Sequence, residues 1–240
     1  MNGTLSERYL AVKRALFMRV LSQRLNERQC EAVTATEGPV LILAGAGSGK
    51  TTVLVRRVAH IIKYGDGYGT NEVPSDLTEE RVAELESALS LPPEEIEEGI
   101  LPEFISHPCP PWAMLCITFT NKAAREIRER LAASFDDETI PEQIWAGTFH
   151  SVCLRILRKF AAGTPFRDGF TIYDTDDKRM LLSNIMKDLR IDDKKLPLKA
   201  VAAEISRQKD ELHLPSDMAT GDNPRMRDVA KIYEEYQARL

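Results

Sequence analysis

The sequence predicts an α/β fold: a parallel sheet with flanking helices, followed by a mainly helical subdomain. Three observations carry that expectation. Val40-Leu41-Ile42-Leu43 is an unbroken apolar run that passes at once into Gly-rich sequence, as buried parallel strands do. The same order of strand, turn and helix recurs at Met114 to Phe119 and again at Ile144 to Thr148. Beyond Phe160 no strand pattern appears, and apolar residues return at helical spacing.

The chain has 240 residues, 43% of them hydrophobic, which is enough to bury a core in one large domain or two small ones. Residues 1–24 are predicted to form a helical extension. The stretch from Leu5 to Leu25 is basic and amphipathic, but Arg14, Arg19 and Arg24 interrupt any signal-peptide core. No apolar run approaches the ~20 residues needed to span a bilayer, so a cytoplasmic protein with no membrane partner is expected. The cysteines, Cys30, Cys109, Cys116 and Cys153, form no Cys-x-x-Cys pair, which argues against zinc and against a disulfide framework. Cys116 and Cys153 stand among apolar residues and read as small buried side chains.

Residues 25–165 are predicted to hold the sheet. After the first strand, Val55, Val58, Ala59 and Ile62 recur on one helical face. After the second, Asn121 is placed to cap a helix whose inner face is Ala124, Ile127 and Leu131. After the third, Cys153, Ile156, Leu157 and Phe160 line up in the same way. Between the first two units lies an acidic insertion, residues 65–112, which carries twelve Asp and Glu against a single Arg81. Thr78 to Leu89 reads as helical, whereas Pro92-Pro93, Pro108 and Pro110-Pro111 mark the insertion as a loop with a solvated surface. The insertion accounts for −11 of a formal net charge of −5, so the rest of the chain is +6, and a nucleic-acid-binding face is permitted.

Residues 166–240 are predicted to be helical. Met180-Leu181, Ile185 and Leu189 form one stripe, and Val201, Ile205 and Leu212 form another. The last helix shows Val229, Ile232, Tyr233, Tyr236 and Leu240, and its pattern is still running at the final residue, which suggests a truncated subdomain.

The strongest chemical signal is Ala44-Gly45-Ala46-Gly47-Ser48-Gly49-Lys50-Thr51, directly after the first strand and directly before the helix. A triphosphate needs several backbone N–H groups turned towards it, and small residues allow that approach. Lys50 would reach the β- and γ-phosphates and the Thr51 hydroxyl would ligate Mg²⁺, with Thr52 completing the cradle. Ala44 stands where the strict pattern has its first Gly. The loop alone implies nucleotide binding without naming a function, because kinases, GTPases, transporters and motors all use it.

Four blocks in order narrow the choice. They are Leu25-Asn26-Glu27-Arg28-Gln29 with Ala32-Val33, the phosphate loop, Thr118-Phe119-Thr120-Asn121-Lys122-Ala123-Ala124, and Thr148-Phe149-His150-Ser151. With them the chain resembles superfamily 1 DNA helicases of the UvrD/Rep/PcrA type, matching their Q motif and motifs I, Ia and Ib. Weaker similarity to the helical 1B subdomain of these motors runs through Tyr173-Asp174-Thr175-Asp176-Asp177 and Ile205 to Glu211. The resemblance implies a P-loop NTPase of RecA-like fold. Its subdomain 1A would be partial over 25–165, and its 1B subdomain would be truncated over 166–240.

The resemblance also implies roles. Gln29, otherwise a plain polar residue at a helix start, would read the adenine edge of ATP. Lys50 and Thr51 would be the catalytic pair. Phe119, which on the residues alone reads as a core side chain, would stack on single-stranded DNA. Asn121, Thr148 and His150 would contact the DNA backbone, although Asn121 and Thr148 serve equally as local caps and His150 as a structural residue. Single-stranded DNA and its junctions with duplex would be the track, and the remaining helicase domains would be partners.

A hydrolytic motor also needs one carboxylate to order Mg²⁺ and another to activate water. The family draws both from an Asp-Glu pair on a later strand. Here Asp136-Asp137-Glu138 falls in a polar loop and Asp192-Asp193 follows a helix. The expectation is therefore an ATP-dependent DNA helicase in which this chain binds ATP and Mg²⁺ without efficient hydrolysis. The rivals are a P-loop phosphotransferase, which would need an acceptor site and an Arg-rich lid, and a non-catalytic nucleotide-binding module.

Overall fold

A computed structural model describes residues 3–164, 169–218 and 223–240. The chain divides into two compact units, Met1–Ala161 and Ala162–Leu240.

The first unit opens with helix α1 (Leu5–Leu21), started by a capping box in which the Thr4 hydroxyl accepts from the Glu7 N–H. Helix α2 (Glu27–Thr34) starts in the same way from Asn26. Then comes helix α3 (Lys50–Tyr64), which buries Val55, Val58, Ala59 and Ile62 as the spacing predicts. Helices α4 (Glu79–Ala88) and α5 (Pro93–Gly99) follow. Strand β1 (Leu115–Thr118), helices α6 (Asn121–Ala132) and α7 (Thr139–Gln143), strand β2 (Trp145–Thr148) and helix α8 (Phe149–Lys159) complete the unit. β1 and β2 pair in parallel, Leu115 with Trp145 through Thr118 with Thr148. The helices between them, α6 and α7, make the parallel connection.

Two apolar segments expected to be buried in this unit are exposed. Val40 to Leu43 forms no strand, and Leu41 and Leu43 are 83% and 85% exposed. A strand that is apolar on both faces needs a paired edge and helices above and below it. Among the described residues the sheet has two strands, which pair with each other and leave the run unpaired. The face of α8 expected inside is also exposed: Cys153, Ile156, Leu157 and Phe160 face solvent, and Val152 is the residue of that helix that is buried. Cys116 is buried as expected, and burial pushes its thiol up to about 11.

The acidic insertion keeps most of its carboxylates in solvent, as expected, but it is a packed helical layer and not a loop. Val82, Leu85 and Ala88 of α4 join Ile96, Leu101 and Phe104 in one core with Tyr9, Val12, Leu16 and Phe17 of α1. Arg8 ties the helices together, with Nη1 2.6 Å from Glu79 and Nη2 3.1 Å from Glu86. Charge repulsion within the segment is thus accommodated on the outside of a packed layer whose other half is the N-terminal helix. The segment leaves and rejoins the sheet-bearing body at Gly65, whose φ is +59° and where an added Cβ would lie within 2.0 Å of the Ser106 carbonyl oxygen. Only glycine fits that approach.

The second unit has helices α9 (Thr175–Asp188), α10 (Leu198–Asp210) and α11 (Pro224–Arg239). Leu182, Ile185 and Met186 pack with Val201, Ile205, Val229, Ile232, Tyr233 and Tyr236. The α9 stripe is shifted by one residue from the sequence expectation: Met180 and Leu189 are exposed while Leu182 and Met186 are buried. Leu212 lies beyond α10 with φ +61° and points into solvent, and Leu240 is exposed as well.

Candidate functional site

The phosphate loop runs from Ala44 to Lys50 with almost every residue exposed. Gly47 and Gly49 take φ values of +75° and +80°, a left-handed turn that β-carbons disfavour. Gly49 is the N-cap of α3, and no side chain caps the helix. The first N–H groups of α3, among them those of Lys50, Thr51 and Thr52, therefore lack intrahelical partners and present the positive end of the helix dipole. That is the donor set a phosphate chain requires.

Lys50 Nζ donates to the carbonyls of Ala44 at 3.1 Å and Gly45 at 2.5 Å, so the ammonium lies over the loop it would share with a phosphate. Ser48 Oγ also donates to the Gly45 carbonyl, at 2.8 Å, and closes the turn. Gln29 reaches the loop from α2. Its Oε1 accepts from the Asn26 N–H at 2.9 Å, and its Nε2 donates to the Ser48 carbonyl at 3.1 Å. A Cβ on Gly49 would come within 2.9 Å of that same Nε2, so a side chain there would displace Gln29. Beneath the loop Leu25, Cys30, Val33 and Val53 form a small core that seats α2 against α3, and Arg57 Nη1 ties the pair by donating to the Ala32 carbonyl at 2.8 Å.

The second group of expected site residues stands at the ends of the paired strands. Phe119 directly follows β1 and is 87% exposed, so it is not a core residue. Thr148, at the end of β2, is buried and caps α8, accepting from the Ser151 N–H at 3.3 Å. Asn121 does not cap α6. The Thr120 hydroxyl does, accepting from the Ala123 N–H at 3.1 Å, and Asn121 becomes the first exposed residue of the helix. The shorter Thr side chain, one residue earlier, has the extended backbone that a cap needs. His150 is exposed in the first turn of α8.

Sequence reasoning missed Phe149. Its ring lies 5.4 Å from that of Phe119 at 39°, and both rings are exposed. The signal was available: Thr118-Phe119 and Thr148-Phe149 are the same dipeptide, and the strand register pairs Thr118 with Thr148. Equivalent positions at the carboxyl edge of a parallel sheet bring the two rings together, at the edge where α/β folds collect ligands. Among the described residues no cluster of His, Cys, Asp or Glu is arranged to hold a metal ion, and no helix is long and apolar enough to cross a membrane.

Comparison with known proteins gives one consistent answer. The family model of the UvrD/REP helicase N-terminal domain matches residues 25–74 and 96–240. The chain is 35% identical over 221 residues to the ATP-dependent DNA helicase PcrA of Leuconostoc citreum, covering 92% of this chain and 24% of that protein. It is 36% identical over 226 residues to the PcrA of Staphylococcus aureus strain Mu50, covering 93% of this chain and 25% of that protein. The PcrA of Staphylococcus epidermidis is 34% identical over 224 residues, with the same coverage of 93% and 25%. The chain thus spans about a quarter of the length of these relatives. The glycine turn, the uncapped helix start and the paired strand edges all lie within the matched residues, and the chain belongs to the UvrD/REP helicase N-terminal domain family.

Proposed function

We propose that this chain is the nucleotide-gripping part of an ATP-driven DNA helicase, binding Mg²⁺–ATP at the phosphate loop and single-stranded DNA at the strand edge. The observation that carries the reading is the start of α3: an uncapped helix N-terminus behind a left-handed Gly47–Gly49 turn, with Lys50 folded onto the loop carbonyls. On binding, the Lys50 ammonium exchanges two neutral carbonyl partners for phosphate oxygens, a charge-assisted and stronger bond. Thr51 would ligate Mg²⁺, Gln29 would meet the adenine edge, and Ala44 to Thr52 would line the phosphates.

Phe119 and Phe149 would stack on bases, while the exposed Asn121 and His150 would meet the backbone of a single strand or of its junction with duplex. The buried Thr148, which caps α8, would act by holding the turn that presents His150. Residues 25–165 would be the RecA-like subdomain 1A and 166–240 the helical 1B subdomain, with Val40 to Leu43 taking up strand pairing when further strands adjoin it.

On this reading the chain binds nucleotide without hydrolysing it efficiently. Its support is that Asp136 to Glu138 lies in the turn before α7 and Asp192-Asp193 in the loop after α9, away from the ends of β1 and β2 in sequence. The relatives are named as ATP-dependent DNA helicases, and the same activity is proposed for the whole protein.

Calorimetric titration with Mg²⁺–ATP tests the phosphate loop directly. Lys50→Ala is expected to lose measurable binding while its far-ultraviolet dichroism and melting curve match the parent. Unchanged affinity in that variant would remove the loop from the account.

A further inference from the structure

We propose that Arg130 is a positioning residue that couples the DNA-facing strand edge to the start of the nucleotide-binding helix, a role that rests on the function proposed above. Helix α6 begins directly after Phe119 and Thr120, where the exposed phenyl rings meet. Its inner face, Ile127 and Leu131, packs in one core with Val55, Val58, Ala59 and Ile62 of α3. On an exposed face of α6, Arg130 Nη1 donates to Thr52 Oγ1 at 3.3 Å, one residue beyond Thr51. Its Nη2 lies 2.8 Å from Glu126 Oε1, one turn back, and that pair orients the guanidinium. Two residues earlier Arg128 Nη1 donates to the Ala146 carbonyl at 2.9 Å, in the strand that ends at Thr148. Helix α6 is therefore fastened to the DNA edge through its own first turn and through β2, and to the phosphate-facing turn of α3 through Arg130.

The apolar seam holds the two helices together, but apolar attraction is itself non-directional and leaves their register to close packing and to polar contacts. A hydrogen bond between named atoms fixes that register. Stacking of a base on Phe119 displaces or stiffens the start of α6. Arg130 passes the change to Thr52 and so to the N–H groups beside it. Arginine suits the task because its fork bonds Glu126 and Thr52 at once, which a single lysine ammonium does less well. An exposed pair of this kind adds little to stability, so its effect is expected in coupling rather than in folding.

The experiment measures the affinity of the 240-residue chain for Mg²⁺–ATP with and without saturating oligothymidylate, and the affinity for oligothymidylate with and without Mg²⁺–ATP. The parent chain is expected to show the same factor both ways, about fivefold. Arg130→Ala is expected to bind each ligand alone within about twofold of the parent, a factor small beside the coupling range. Its coupling factor should fall to one, and Arg130→Lys should recover part of it. Coupling unchanged in Arg130→Ala would overturn the proposal. So would loss of nucleotide affinity by the same factor with and without DNA, since that marks a purely local role. A parent chain that binds both ligands without coupling overturns this inference alone, whereas one that binds neither ligand overturns the function on which it rests.

Discussion

Two residues show how burial and exposure assign roles that residue type does not. His60 lies in the middle of α3, 3% exposed, with its ring 5.5 Å from those of Phe17 and Tyr64. Among the described residues its Nε2 has no hydrogen-bond partner. Burial, aided by the Arg57 charge and opposed by Asp66, pushes its pKa down to about 4. The folded chain therefore holds a neutral imidazole, while the unfolded chain takes up a proton below about 6.5. Stability is full above about 6.5 and falls as pH drops towards 4, by about 3 kcal/mol from this group. Urea unfolding at a series of pH values checks this. His60→Phe, which keeps an aromatic ring in the Phe17–Tyr64 cluster, should flatten that part of the profile, and an unchanged acid slope would contradict the assignment. Phe119 is the converse case: a large apolar side chain left in solvent beside a second one, where a core position was the plainer sequence reading.

At the scale of elements, the two parts of the chain that lie outside the family match find their partners in each other. The match begins at residue 25 and omits 75–95, which leaves out α1 and α4. These helices share one core, and α5 and Phe104 close it. An acidic helix with an apolar stripe cannot fold alone in water, and neither can a basic amphipathic one. Together they cover both stripes and set Arg8 against Glu79 and Glu86. The layer also bears on α3, since Tyr64 at its end belongs to the same core and Lys63 Nζ lies 3.4 Å from Glu97 of α5. Leu16 and Leu85 are both fully enclosed there. Truncating either to Ala should cost about 2–5 kcal/mol, the range for a large side chain removed from a packed core. Hydrogen exchange should then show α1 and α4 losing protection together. If Leu85→Ala loosened α4 and left α1 protected, the two would not be one layer.

For the molecule as a whole, the sequence reveals what is local and loses what depends on neighbours. The strand–turn–helix order, the faces of α3 and α6 and the strands at Leu115–Thr118 and Trp145–Thr148 are legible because short-range periodicity decides them. The glycine turn before Lys50 is legible because left-handed backbone demands it. Val40 to Leu43 and the outer face of α8 are misread because their apolar character specifies burial without saying by what. Thr78 to Leu89 is legible as a helix, but the packing of residues 65–112 is hidden because the partner helix α1 lies about seventy residues earlier, and the run of charge masks the Val82, Leu85, Ala88 stripe. In the candidate site, Gln29, Lys50 and the glycines are readable from their motif. The Phe149 ring and the Arg130 link need the sheet register and the helix seam to become visible.

The central claim is that this chain grips nucleotide and does not turn it over, and a phosphate-release assay on the 240-residue chain tests it most directly. With Mg²⁺–ATP bound and single-stranded DNA in excess, the account predicts release no faster than in a Lys50→Ala control. Brisk release that rises on adding DNA and vanishes in that control would contradict it, because the water-activating carboxylate would then have to lie within these residues.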